Sequence, residues 1–154
     1  MLNKFNSKYI WEDDGTLRQV EDGLDQWGKW YEPRRRGRHV ADTLIKFKNG
    51  NTRRVSTIFL GIDHNWGPGA KPVLWESLVF FDKDSFSEID GRRYSSAQEA
   101  WEGHWALVHK HLGDERSPCE IENSTDLHPY GTKLFADDYP AALQRAMGLH
   151  STTP

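Results

Sequence analysis

Cysteine and long apolar stretches are scarce in this sequence, and each shortage excludes a class of protein. Cys119 is the only cysteine among 154 residues, which rules out an intrachain disulfide framework and argues against a cysteine-based zinc site. No apolar run approaches the roughly 20 residues that a membrane span needs. The N-terminal segment, residues 1–15, lacks the apolar core of a signal peptide. We therefore expect a protein of a reducing compartment, the cytoplasm of its own cell or of a host.

Established catalytic and metal-binding motifs are also missing. The sequence contains no HExxH zinc motif and no recognisable Ser/His/Asp spacing. The glycine pair in residues 66–69 is not a phosphate loop, because it lacks the GxxxxGK[ST] pattern and does not open a helix. A net charge of −3 and a pI of about 6.1 disfavour a general nucleic-acid binder, which usually has a basic excess. We expect no cofactor and no bound metal.

Aromatic side chains are abundant by contrast. Seven tryptophans are present, although hydrophobic residues make up only 36% of the chain. A small core must then obtain much of its buried area from a few large side chains, because each Trp buries a large apolar body. Tryptophan also anchors many protein interfaces. The tryptophans therefore serve either the core or a partner.

Turn residues and apolar runs predict an α+β domain in residues 1–113, with a small antiparallel meander and two main helices packed on it. An Asp-Gly turn at residues 13–15 predicts a hairpin within residues 8–20. Further strands are predicted at residues 43–47, 53–62 and 72–81. Residues 114–154 are rich in polar residues, and we expect them to form an irregular C-terminal arm that contains a short terminal helix.

The two helices are predicted from apolar spacing and from residues that cap helix ends. The first carries Trp27 and Tyr31 on one face. The second is the stronger prediction, because Ser96 and Glu99 fit a capping box. Gly113 is a suitable terminator for it.

Both faces of the strongest strand, residues 53–62, are largely apolar. Ile58 and Leu60 point to one side, whereas Val55 and Phe59 point to the other. A sheet that is apolar on both faces needs cover on both. The helices can cover one face, so the other requires the N-terminal hairpin, the C-terminal segment or another subunit. We expect a homo-oligomer.

Four residues form a candidate catalytic set. They are Asp63, His64, Glu76 and His104. If they converge, they can perform acid–base chemistry or bind a metal. Simpler interpretations stay open. Glu76 pairs with an arginine such as Arg53 or Arg54, and Asp63 bonds to the backbone of its own loop. We expect His104 to be buried, with a hydrogen bond to a carboxylate or a backbone carbonyl near Glu76 or Asp63.

A second candidate site would bind an anionic, nucleotide-like ligand. Arginine offers planar contacts to phosphate, and aromatic rings stack on bases. The run from Arg34 to Arg38 follows closely after two tryptophans, although a solvated linker is the simpler interpretation. The residues proposed for this site are Trp30, Arg36, Asp63, His64, Trp66 and Arg93.

Residues 10–110 resemble a widespread set of small, mostly uncharacterised bacteriophage proteins. The pattern is a VST-x-FLG-x-DH strand, a strand with a Glu and a terminal VF, an RYS segment and a helix with Gly-His. The matching positions are Val55 to Thr57, Phe59 to Gly61, Asp63, His64, Glu76, Val79, Phe80, Arg93, Tyr94, Ser95, Gly103 and His104. The resemblance implies a phage origin and a shared fold, and it assigns no catalytic residue.

Taken together, these features favour a phage accessory protein that acts by binding in the host cytoplasm. The function we favour is to counteract host defence, by sequestering either a nucleotide-type signalling molecule or a host protein. A small hydrolase that uses the catalytic set is one alternative. A virion assembly factor is the other.

Overall fold

Two short strands open the described part of the chain. A computed structural model describes residues 7–20, 24–34, 37–65, 71–83, 86–115 and 118–134. β1 (Lys8–Trp11) pairs with β2 (Leu17–Val20) as an antiparallel hairpin. Gly15 lies in the turn with a φ of 95°, a conformation that glycine adopts without strain. The hairpin predicted from the Asp-Gly turn is confirmed.

A short helix packs aromatic side chains onto the core. Helix α1 (Leu24–Tyr31) passes into a 3-10 turn at Glu32–Arg34. The α-helix ends here because Pro33 has no backbone N–H and its ring blocks a further turn. Trp30 is buried with its ring edge-on to Phe59, at a centroid distance of 5.6 Å.

Within the described residues, five strands form the main sheet, and every neighbouring pair is antiparallel. They are β3 (His39–Phe47), β4 (Thr52–Phe59), β5 (Trp75–Phe80), β6 (Glu88–Tyr94) and β7 (Pro118–Asn123). Their order in space is β6-β5-β4-β3-β7, so β3 to β6 form a meander and β6 and β7 lie at the edges. The α+β class and the antiparallel meander predicted from the sequence are confirmed.

Strand β4 ends earlier than its apolar sequence suggests. Its last residue is Phe59, whereas the predicted strand continued to Ile62. Gly61 has a φ of 78°, and the indole of Trp27 occupies the space where a β-carbon would lie. Beyond Phe59 the chain pairs with the hairpin instead, through a bridge between Lys8 and Ile62, and this pairing leads it to Asp63.

Helix α2 (Ala97–Leu112) is the long helix that the sequence predicted. Ser96 caps it, since its hydroxyl oxygen accepts a hydrogen bond of 3.1 Å from the backbone N–H of Glu99. The Ser96 hydroxyl also donates to the Glu99 carboxylate at 3.0 Å. Gly113 follows the last turn, as expected. No helix in the described ranges has the length and apolar character required to cross a bilayer.

The core lies on one side of the sheet. We call this side the helix-covered face; it includes Thr43, Val55, Thr57, Phe59, Trp75, Ser77, Val79 and Tyr94. Helix α2 packs along it, and Trp11 of the hairpin packs against Phe59 and Trp75 at its end. Its residues are buried, whereas alternate residues on the same strands are only half-buried. The period of two in burial follows from strand geometry.

The C-terminal segment contributes more to the domain than the sequence analysis expected. The described part of the predicted arm forms β7, which pairs with β3 from Thr43 to Phe47. His128 is fully buried and stacks on Trp11 at a centroid distance of 3.6 Å. Gly131 approaches the backbone of β3, where a β-carbon would lie 2.8 Å from the carbonyl oxygen of Val40. The predicted terminal helix lies outside the described residues.

Candidate functional site

The loop residues of the predicted catalytic set are bound to their own backbone. Asp63 is buried, and its Oδ1 accepts hydrogen bonds from the N–H groups of Asn65 at 2.8 Å and Val73 at 2.9 Å. His64 Nδ1 lies 2.7 Å from the carbonyl oxygen of Ile62. Both side chains therefore shape the loop between β4 and β5, as the simpler interpretation of Asp63 anticipated.

Glu76 and His104 lie on opposite faces of the sheet, so the four residues of the candidate catalytic set do not converge. Glu76 Oε2 accepts a hydrogen bond of 2.8 Å from Nε of Arg93, which lies opposite it on β6. The simpler interpretation that Glu76 pairs with an arginine is confirmed, but the partner is Arg93 and not Arg53 or Arg54. Arg54 binds Asp42 instead, and Arg53 points to the other face.

His104 is the centre of a buried row of hydrogen bonds that crosses all five strands of the sheet. Its Nε2 lies 2.8 Å from the Thr43 hydroxyl on β3, and its Nδ1 lies 2.7 Å from the Thr57 hydroxyl on β4. Thr43 donates to Asn123 Oδ1 on β7 at 2.7 Å. Thr57 continues the row to Ser77 on β5, which contacts the Tyr94 hydroxyl on β6 at 2.9 Å. We call these six residues the polar row.

The burial predicted for His104 is confirmed, but its predicted partners are wrong, because hydroxyl groups take the place of a carboxylate or carbonyl. The sequence contained a signal for this arrangement. Thr57 and Ser77 are small polar residues at inward positions between apolar neighbours. Buried polar groups need hydrogen-bond partners, and strand register sets two such residues opposite each other.

The directions of these bonds define the tautomer of His104. Thr43 donates its only hydroxyl proton to the Asn123 amide oxygen, so it accepts from the Nε2–H of His104. The unprotonated Nδ1 then accepts from the Thr57 hydroxyl. Thr57 in turn accepts from Ser77, and Ser77 accepts from Tyr94. Every hydroxyl and imidazole proton in the polar row has an acceptor within it when His104 is neutral, including that of Tyr94, which donates to Ser77 at the end of the row.

Burial also disfavours a charge on His104. Removal from water lowers the pKa of His104 to about 3, while nearby Asp42 opposes this effect and His39 adds to it. A protonated ring would donate from both nitrogens and would reverse the direction of the Thr57, Ser77 and Tyr94 hydroxyls. The arrangement therefore suits a structural imidazole, and it contains no site at which a substrate reaches the ring.

We predict that the folded protein loses stability in mild acid because of His104. Its folded pKa of about 3 lies below the ordinary 6.5, so the unfolded chain takes up the proton first as the pH falls. The stability that neutral His104 contributes is fully present above pH 6.5 and declines towards pH 3. The free energy of unfolding should fall by about 2 kcal/mol between pH 6.5 and pH 5. Urea unfolding at pH 7 and pH 5 measures this difference.

The matched control for this pH effect is His104→Gln, which has no proton to gain. Its loss of stability over the same interval should be smaller by about 2 kcal/mol. His128 titrates in the same direction in both proteins, because burial lowers its pKa as well. Equal losses in the parent and the variant would show that His104 does not titrate as a buried neutral imidazole.

A second polar cluster lies where α2 ends beside β6. Asp90 Oδ2 accepts from Lys110 at 2.6 Å and lies 2.8 Å from Nε2 of His111. His111 Nδ1 lies 2.6 Å from Asp114. The bonds from Lys110 and His111 lower the pKa of Asp90 to about 2. The cluster ties α2 to the sheet edge, and within the described residues no group of His, Cys, Asp and Glu side chains forms a metal site.

The residues predicted to bind a nucleotide do not form a single surface in the described structure. Trp30 is buried against Phe59, so its ring offers no open platform for a base. Arg93 is half-exposed and pairs with Glu76. Arg36 and Trp66 lie outside the described residues.

The described arginines of the predicted basic run are used within the protein. Arg38 is buried with its guanidinium over the ring of Tyr31, and it donates to the Tyr31 hydroxyl and to the Phe59 carbonyl. Arg34 donates to the Trp30 carbonyl and lies over the Trp30 ring. Arg38 therefore joins α1 to the sheet, whereas Arg34 binds the last turn of α1 itself.

The side of the sheet that faces away from α2 is the remaining large surface. We call it the open face; it comprises Asp42, Leu44, Lys46, Arg54, Ser56, Ile58, Glu76, Leu78, Phe80 and Arg93. Its apolar side chains are half-buried, and no described helix packs on them. A pocket of about 300 Å³ lies on this side near β7, with Leu44, Arg54 and Glu122 in its lining.

The ionic side chains of the open face form pairs across neighbouring strands. Arg54 makes two parallel hydrogen bonds to Asp42, at 3.0 and 2.9 Å. Lys46 binds Glu122 on β7, and Arg93 binds Glu76. The face thus combines apolar side chains with internally matched charges.

Comparison with known proteins does not identify the fold or the site. No family model matches the sequence, and neither the curated proteins nor the solved structures give a significant match.

Proposed function

We propose that this chain is a bacteriophage accessory protein that acts in the host cytoplasm by binding a host protein and so counteracting host defence. The phage origin rests on the sequence resemblance, which runs through β4, β5, β6 and α2. The mode of action rests on one observation, the open face. A binding role also agrees with the separation of Glu76 from His104, which leaves no assembled acid–base pair between them.

The open face has the composition of a protein-binding surface. Leu44, Ile58, Leu78 and Phe80 present apolar area on three neighbouring strands. Both the hairpin and the described C-terminal segment pack around Trp11, on the opposite side of the sheet. An apolar centre with a polar rim is the usual anatomy of an interface. The apolar side chains on this face therefore need cover from outside the described chain.

The charges of the open face favour a protein over a nucleotide. Lys46, Arg54 and Arg93 each bind a carboxylate of the same chain. A phosphate would have to displace these carboxylates, and the acidic groups left behind would repel it. A protein partner needs no such exchange, because it can cover the apolar centre and leave the ion pairs at the rim.

We expect a photo-crosslinking amino acid at position 78 to form a discrete adduct with one host protein in living cells. Leu78 lies in the middle of the open face, so a partner covering that face comes within reach. The same amino acid at position 98 is the control, because Gln98 is exposed on α2 and points away from the sheet. Mass spectrometry of the adduct identifies the partner.

Affinity for the purified partner then tests the surface. Leu78→Glu should weaken binding by about tenfold or more, because it places a charge in the middle of the open face. Leu17→Glu, the same type of change at an exposed apolar residue of the hairpin, should leave binding unchanged. An adduct only with a second copy of this chain would overturn the proposal. So would no adduct combined with a thermal shift on adding nucleotides.

A further inference from the structure

The pocket beside β7 combines an apolar side chain with an ionic rim. Its volume is about 300 Å³, and Leu44, Asp42, Arg54 and Glu122 contribute to its lining. Strand register places Leu44 between Arg54 on β4 and Glu122 on β7. Ligand pockets usually span about 300–1,000 Å³. This pocket therefore has room for a single side chain of a bound protein and is small for a nucleotide.

The guanidinium of Arg54 is a fixed planar group at this pocket. Its Nε and Nη2 donate to the two carboxylate oxygens of Asp42, at 3.0 and 2.9 Å, and this double bond to one carboxylate holds the plane in one orientation. The Arg54 side chain is nevertheless 37% exposed, so the pair does not close it off from a ligand. A guanidinium stacks on aromatic rings and attracts their faces. An aromatic side chain is thus favoured over an aliphatic one.

The charges around the pocket favour a neutral ligand that carries a hydrogen-bond donor. Arg54 is matched by Asp42. Glu122 is bound by Lys46, and Lys46 and then Lys83 lower the pKa of its carboxyl. A charged side chain would compete with these pairs, whereas a neutral ring leaves them intact. Each carboxylate oxygen has two lone pairs, so Asp42 can accept a further hydrogen bond from the O–H or N–H of a ring.

We propose that this pocket is the specificity-determining part of the open face and receives one tyrosine or tryptophan side chain of the host protein. The ring lies against Leu44 and the Arg54 guanidinium, and its O–H or N–H donates to Asp42 or Glu122. Tyrosine and tryptophan seated in pockets are common energetic anchors of interfaces. Leu44 belongs to both the pocket and the apolar part of the open face, so a partner that covers the face reaches the pocket. The inference rests on the proposed function and names the side chain that the face selects.

Titration with N-acetyltryptophanamide, followed through the amide signals in NMR spectra, tests the pocket without any host protein. The compound should bind saturably with a dissociation constant on the order of 1 mM. The shifted amides should include those of residues 42–44 and 122–124, which lie at the pocket. N-acetylleucinamide should bind about threefold more weakly or worse, because it cannot stack on the guanidinium. Equal affinity for the two compounds, or no saturable shift at these residues, would overturn the inference.

Two identical substitutions separate filling of the pocket from a change elsewhere on the surface. Ser124 lines the pocket, so Ser124→Phe should fill it and raise the dissociation constant of N-acetyltryptophanamide by about tenfold or more. Ser87→Phe, at an exposed serine of the β5–β6 connection, should leave this constant unchanged. The melting temperatures of both variants should remain close to that of the parent. Equal binding of the compound by Ser124→Phe and the parent would contradict the inference.

The same two variants test the link to the host protein that crosslinking identifies. Ser124→Phe should raise the dissociation constant for that protein by about tenfold or more, and Ser87→Phe should not change it. Undiminished host binding by Ser124→Phe, together with weakened binding by Leu78→Glu, would overturn the pocket inference and leave the proposed function standing. Failure to form any host adduct would instead overturn the proposed function, and the inference with it, even where the model compound binds.

Discussion

Replacing His104 with leucine should lower the free energy of unfolding by about 2–5 kcal/mol, a large part of the stability of a domain this size. Leucine fills much of the volume but has no nitrogen. The Thr57 hydroxyl then loses its acceptor, and the Thr43 oxygen loses its donor. Each unsatisfied buried group costs about 1–3 kcal/mol, and the edge-on contact with Trp105 is lost as well. Urea unfolding at pH 7 measures the change.

Two further variants separate hydrogen bonding from packing. His104→Gln retains an amide that can satisfy one of the two neighbours, so it should lose less stability than leucine by about 1 kcal/mol or more. The double variant His104→Leu with Thr43→Val should recover part of the loss, because the Thr43 oxygen left without a donor is gone and half-buried Asn123 can bond to water instead. A leucine variant as stable as the parent would show that the polar row contributes nothing to stability.

Gly103→Ala should destabilise the protein by about 2 kcal/mol or more, although helix propensity alone favours alanine by about 1 kcal/mol. A β-carbon at position 103 would overlap the ring and the hydroxyl of Tyr94. The Tyr94 ring must then move, which breaks its hydrogen bond of 2.9 Å to Ser77 and ends the polar row one residue early. The steric conflict therefore outweighs the propensity gain.

Helix α1 provides the matched control for this substitution. Gly28 lies inside α1, and a β-carbon there would have no neighbour within 4 Å. Gly28→Ala should therefore stabilise the protein by up to about 1 kcal/mol. Thermal unfolding of both variants measures the contrast. Equal stabilisation by the two substitutions would show that the Tyr94 ring can move away from Gly103 without loss of stability.

Local signals predicted the elements that depend on a few neighbouring residues. The Asp-Gly turn at Gly15 produced the expected hairpin. Ser96 and Glu99 started α2 where the capping box predicted. Such features depend on residues close together in the sequence, because turns and caps satisfy backbone groups of the same segment.

The candidate site was harder to predict because its contacts join distant segments. The burial of His104 followed from its place in the apolar stripe of α2. Its partners did not follow, since Thr43 and Thr57 belong to two strands that only the sheet register brings together. Glu76 was assigned to the same cluster as His104 because β5 is apolar on both faces, and periodicity could not say which face the helix covers.

The sequence by itself determined the hairpin, helix α2, three strands of the meander and the alternation of side chains along them, because these features depend on local backbone geometry, whereas β6 and β7 were not predicted. It also set the residue types of the polar row. Only the tertiary structure decided that α2, the hairpin and residues 128–131 all pack on one face of the sheet. The tertiary structure also placed the polar segment β7 at the edge of the sheet. Its backbone N–H and C=O groups form hydrogen bonds with β3, and these bonds do not depend on its side chains. These outcomes depend on which apolar surfaces fit together in space, and that fit is a property of the whole chain.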